Sequence, residues 1–188
     1  MSEMTSQDGA TVYDWGTSPD EMPSLNASVL HAIAGQVNAE LRASHQYLAM
    51  AAFCEQRKYP GAARWLKHQS MEERKHALKL LEFVLARNAP VELEEMPAPT
   101  VEFKDIADVF VGALLQEQQT SAQINDLCEL AFASKAFSEM AALQWFLTEQ
   151  VEEEQTARRW VSRFQRVGND AGALLDLDRE LATRSSSD

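Results

Sequence analysis

The stretch AARWLKHQSMEERKHALKLLEF, residues 62–83, decides the fold. Read at alternate spacings of three and four, it gives Ala62, Leu66, Gln69, Glu73, His76, Leu80 and Phe83. Residues spaced in this way share one face of an α-helix. The face is apolar toward both ends and carries an acid and an imidazole near its middle. Pro60 suits a first helical turn, so a helix is expected over Pro60–Asn88.

The pattern repeats on both sides of this stretch. A first segment, Leu25–Gln56, with Ser24 or Asn26 as its N-cap, carries Val29, Ile33, Val37, Glu40, Ser44, Tyr47 and Ala51 on one face. A third, Lys104–Phe132, carries Ile106, Phe110, Ala113, Glu117, Thr120, Ile124 and Leu127. A fourth, Phe137–Val167, carries Leu143, Phe146, Gln150, Glu153, Ala157, Trp160 and Phe164, and Gly168-Asn169 ends it. A short fifth piece, Ala171–Ala182, is apolar along Leu174, Leu177 and Leu181; it is expected to pack on the bundle end or on another subunit. No alternating strand pattern stands out, so the fold class is all-α. Short links join segments one to two and three to four, whereas Ala89–Phe103 is long enough to run the length of a bundle. The chain is thus expected to form a four-helix bundle of two antiparallel pairs, with a long crossover between helices two and three and a short C-terminal fifth helix. Residues 24–183 form its one domain, 1–23 a flexible extension and 184–188 a frayed tail.

Composition narrows the function. The 188 residues carry a net charge of −12, which disfavours nucleic acid as a partner and suits cations. No stretch is apolar enough for a membrane span, and the acidic N-terminus lacks the features of a secretory or transit signal. A cytoplasmic location is expected, or a plastid one if a transit peptide has been removed. Cys54 and Cys128 sit inside helical segments and read as buried reduced thiols.

The chemistry lies where the core pattern breaks. Glu40, Glu73, Glu117 and Glu153 fall at similar depth in their helices, so an antiparallel bundle brings them into one layer with His76 and Gln150. Removing each carboxylate from water costs several kcal/mol, and like charges at close range raise one another's pKa. Either cations bind there or some of the acids stay protonated. Carboxylates with one imidazole suit iron, manganese or zinc, and Glu73-x-x-His76 has the spacing found in di-metal bundles.

These residues carry a resemblance to the ferritins, here the non-haem prokaryotic or algal type. It covers about Leu25–Leu181 and rests on Asn38-Ala39-Glu40-Leu41 with Tyr47, on Glu72-Glu73-Arg74-Lys75-His76, on Glu117, and on the run Gln144–Glu154. The resemblance implies a ferroxidase centre for two irons. Glu40, Glu73 and His76 would hold the first, Glu73 would bridge to the second, and Glu117 and Glu153 would complete it. Gln150 would orient oxygen or water. Tyr47, with Trp145 close by, has two readings: an electron donor to oxygen, or a buried hydroxyl bonded to a ligand carboxylate. Glu72, Glu149 and Glu152 resemble a third, inner iron site; an ordinary solvated acidic face is the alternative. Glu139 is either an ion-guiding residue or, as the safer reading, a surface glutamate. Bacterioferritin differs, with a second Glu-x-x-His where this chain has Gln150-x-x-Glu153 and a haem-ligating methionine where it has Arg74; no haem is expected. The implied function is oxidation of Fe(II) by O2 and storage of Fe(III) as a mineral inside a homo-oligomeric shell of twenty-four subunits. The alternatives are a di-iron oxidase or oxygenase acting on an organic substrate, and a structural bundle whose acids are incidental.

Overall fold

A computed structural model of the chain describes residues 2–5, 11–14 and 26–184. Two short strands, β1 (Ser2–Thr5) and β2 (Thr11–Asp14), pair antiparallel with Ser2 opposite Asp14. The sequence reading gave this extension no element. The signal was present in Thr11, Val12 and Tyr13, whose side chains favour a pleated backbone, but four residues are too few to show a period. Most of the extension expected at 1–23, and the tail beyond Arg184, lie outside the described residues.

Five helices follow: α1 (Ala27–Gln56), α2 (Pro60–Ala86), α3 (Ile106–Ala133), α4 (Phe137–Val167) and α5 (Ala171–Arg184). The first four form the all-α bundle. Cross-helix bonds fix their directions. Ser44 on α1 donates to the carbonyl of Ser70 on α2 at 2.7 Å, and Gln36 and Tyr47 on α1 meet Gln123 and Glu117 on α3. Hence α1 runs antiparallel to both α2 and α3, and the crossover must return the chain along the bundle. Side-chain amides of α1 hold that crossover as a neighbouring strand would. Asn38 donates to the carbonyl of Glu92 and accepts from the N–H of Glu94, and Gln46 does the same with both backbone groups of Thr100. From Asn38 to Gln46 the helix rises about 12 Å, and an extended crossover of that many residues spans about twice as much. A pocket of about 250 Å³ lies beneath Pro97–Thr100.

Three helix ends adopt the same device. Lys58, Asn88 and Lys135 take positive φ of 68°, 54° and 54°. At each, the next residue's N–H reaches back to a carbonyl of the last turn, as from Tyr59 to Cys54 at 2.9 Å. This left-handed closure satisfies carbonyls that a helix end otherwise leaves open.

The apolar core is in two parts. One contains Met50, Leu66, Phe110, Trp160 and Phe164, and the other contains Val29, Ile33, Leu80, Ile124 and Phe146. Between them lies the layer that holds the four acids. Helix α5 docks on the bundle end, at α2 and α4, through Leu177 and Leu181. Its Asp178 Oδ1 accepts the N–H of Ala62 at 2.8 Å, closing the start of α2, which has no side-chain cap of its own. The approach is so close that a Cβ on Gly61 would stand 1.8 Å from the Asp178 carbonyl oxygen. Cys54 and Cys128 are buried free thiols, and burial, helped by Asp178, pushes Cys54 up to about 12. Among the described residues no helix is long and apolar enough to cross a membrane.

Two expectations are corrected here. Asn26 stands at the N-cap position of α1 but forms no cap bond; its amide donates instead to Glu139 at 3.2 Å. Glu139 is not a surface residue: it is fully buried, bonded also by the Ser138 hydroxyl and ion-paired with Arg87 at 3.2 Å. The start of α4 meets the start of α1 and the end of α2, so a residue of its first turn is enclosed. A carboxylate already neutralised by an arginine is poorly suited to guiding ions.

Candidate metal centre

The acids stand near the middle of their helices because each helix offers a single inward stripe, and the stripe is interrupted there. The side chains of Glu40, Glu73, His76, Glu117 and Gln150 are all at most 4% exposed, and Glu153 is half-buried. Three groups of ligand atoms converge within 4.8 Å: Glu40, Glu73 and His76; Glu73, Glu117 and Glu153; and His76, Glu149 and Glu153. Glu73 belongs to the first two and lies between them.

Burial dominates the electrostatics. It pushes Glu40 up to about 7, against the lowering effect of the Gln36 bond. It also raises Glu73 and Glu117, and with Glu117, Glu149 and Glu40 close by it takes Glu153 up to about 10. His76 moves the other way, down to about 4, because burial disfavours the imidazolium. At neutral pH the imidazole is therefore neutral and the centre without a metal holds protons on carboxylates. His76 Nδ1 lies 3.4 Å from Glu73 Oε2, but a neutral imidazole forms no ion pair and the contact lacks hydrogen-bond geometry.

The donor set fits a divalent cation. Both oxygens of Glu73, Oε2 of Glu40, Oε2 of Glu153 and Nδ1 of His76 are buried without a hydrogen-bond partner. Buried polar atoms are normally paired, and these unpaired ones belong to residues whose ligand atoms converge within 4.8 Å. Other oxygens are already committed. Glu117 Oε1 accepts a short bond from the Tyr47 hydroxyl, and Gln150 Nε2 donates at 3.3 Å to Glu117 Oε2. Tyr47 is fully buried, and burial with Glu117 nearby raises its hydroxyl well above its usual range, so it stays a donor. Gln36, which the sequence reading did not single out, donates to Glu40 Oε1 at 2.9 Å. Its only signal was its position four residues before Glu40 on the same face.

Trp145 is found beside His76, with ring centroids 5.3 Å apart and Lys79 Nζ 3.5 Å above its ring. Of the three acids expected at an inner site, Glu149 joins His76 and Glu153. Glu72 is paired with Lys75 at 2.6 Å, and Glu152 is exposed. Both remain close enough to Glu149 to help raise its pKa, after burial.

A family model described as the ferritin-like domain matches residues 30–167. Over 161 residues the chain is 38% identical to the bacterial non-heme ferritin of Staphylococcus haemolyticus, an alignment covering 86% of this chain and 97% of the relative. It is 36% identical to that of Staphylococcus aureus, with the same coverage. Among solved structures it is similar to an open pore ferritin from the hyperthermophilic archaeon Archaeoglobus fulgidus, at a TM-score of 0.81 and 34% identity over 82% of this chain and 96% of that one.

Proposed function

The chain belongs to the ferritin family, as a non-haem ferritin, and from that premise we propose that it oxidises Fe(II) with O2 within each subunit and stores the Fe(III) as a mineral. The observation that carries this is the set of unpaired buried lone pairs on Glu40, Glu73, His76 and Glu153. Two Fe(II) ions are the substrate, and each passes one electron to O2.

The residues divide the work. Glu40, Glu73 and His76 bind one ion; Glu73, Glu117 and Glu153 bind the other. Carboxylates that held protons release them as the cations enter, because a close positive charge favours the ionised form. Once ionised, these hard oxygen donors favour Fe(III) over Fe(II), which assists electron loss. His76, neutral at physiological pH, needs no deprotonation before it binds. Tyr47 and Gln150 hold Glu117 at both oxygens. Glu72, Glu149 and Glu152 form a third, inner iron site beside Glu153, the half-buried ligand. The functional body is a shell of twenty-four subunits located in the cytoplasm, where Cys54 and Cys128 stay reduced.

Stopped-flow oxidation of Fe(II), combined with gel filtration, tests this reading. The unsubstituted chain should oxidise iron rapidly and carry mineral in a large assembly, and Glu73→Ala should abolish the rapid phase. Fast kinetics retained in Glu73→Ala would refute the assignment. Oxygen consumed in proportion to an added organic compound rather than to iron would favour an oxygenase.

A further inference from the structure

Gln36 sits one turn before Glu40 on α1 and is itself only 5% exposed. Its amide nitrogen donates twice, to Glu40 Oε1 at 2.9 Å and to Gln123 Oε1 on α3 at 3.3 Å. Gln123 in turn lines the pocket beneath the crossover. We propose that Gln36, held by Gln123, is a positioning residue that fixes which oxygen of Glu40 meets the first metal ion. The inference rests on the metal reading above and adds an element to it.

The geometry supplies the reasons. A metal-binding carboxylate only accepts hydrogen bonds, so the amide must turn its nitrogen, not its oxygen, toward Glu40. An isolated glutamine can flip. Gln123 prevents this by accepting the second N–H, so both hydrogens of one nitrogen are used and the orientation is set. With Oε1 occupied, Oε2 is the unpartnered atom of Glu40. The carboxylate is thus presented through one oxygen, and its rotation about the final bond is blocked. Such outer partners commonly orient metal ligands. The second site differs: Glu117 accepts at both oxygens, from Tyr47 and Gln150, so a metal there would have to use a further lone pair of one of them.

Anaerobic titration with Co(II), followed by its visible ligand-field spectrum, tests this without any oxidation chemistry. The unsubstituted chain should bind two ions per subunit. Gln36→Met keeps the length and removes the donor; it should weaken the first site about tenfold and alter its spectrum, leaving the second unchanged. Gln123→Met, at a position that touches no ligand, should shift the same first-site spectrum by a smaller amount. It should add nothing further in the Gln36→Met background. Unchanged first-site binding in Gln36→Met, or effects of the two substitutions that simply add, would overturn the inference. Absence of Co(II) binding in the unsubstituted chain would overturn the metal centre, and this inference with it.

Discussion

Tyr47 shows how much one buried hydroxyl can govern. Its hydroxyl donates to Glu117 Oε1, and the phenol is fully enclosed. Leaving a buried acceptor without its donor costs about 1–3 kcal/mol. Tyr47→Phe should therefore slow iron oxidation by about tenfold while two metal ions still bind. Freeze-quenched electron paramagnetic resonance of the unsubstituted chain separates its two roles: a tyrosyl radical during turnover identifies an electron donor, and slowing without one assigns the effect to the hydrogen bond. Titration of the neighbouring groups gives a second expectation. Glu40 and Glu153 have folded pKa values of about 7 and 10, above the ordinary 4.5. Raised acids contribute stability that is complete below the unfolded pKa and is lost as pH rises through the folded one. His76, lowered to about 4, contributes stability above its ordinary 6.5 that is lost as pH falls toward 4. Above pH 6.5 the imidazole term is constant and only the acids act. Calorimetry of the metal-free protein should show Tm falling from pH 6.5 to 9, and bound divalent metal should flatten that slope. A rising Tm over that window would contradict the assigned protonation.

Individual helices were largely legible from their periodicity. Gln56, Pro60, Phe137, Val167 and Ala171 end or begin helices where the sequence pattern put them. The inward stripe also marked the residues of the central layer, because a polar residue in an apolar row is visible without knowing its partner. Contacts between elements were not legible. Glu139 reads as a surface acid until α1 and α2 are set beside it. Gln36 is a neutral amide whose importance depends on Gln123, which is 87 residues away. The cap that Asp178 provides to α2 spans 116 residues, and no local motif announces it. That cap yields a test. Gly61→Ala would drive a methyl group into the α5 backbone, so α5 must shift and the bond to Ala62 must stretch. Overpacking of this kind costs about 1–3 kcal/mol. Calorimetry should find a lower Tm, and stopped-flow oxidation should find an unchanged rate, since Gly61 stands about three turns along α2 from Glu73.

At the scale of the whole molecule, the surface is unusually apolar in places. Phe132 and Phe137 are 71% and 68% exposed, on either side of the link between α3 and α4. An assembly that covers them would explain their cost to a lone subunit. Phe132→Glu with Phe137→Glu should lower the sedimentation coefficient to that of small species while the helical circular dichroism remains; full-size assemblies would show that this corner is not an interface. Inside, the division of the core into two parts has a consequence for motion. Most helical proteins loosen first at their tips, where turns lack neighbours. Here the oily material is stacked toward both ends, and the waist holds buried acids several of whose oxygens lack a partner. Emptied of cations, the subunit should breathe at its middle: backbone amides around Glu40, Glu73 and Glu117 should exchange hydrogen for deuterium sooner than those a few turns away in either direction. Filled, it should stiffen from the centre outward, so that loading the subunit and tightening it are one event.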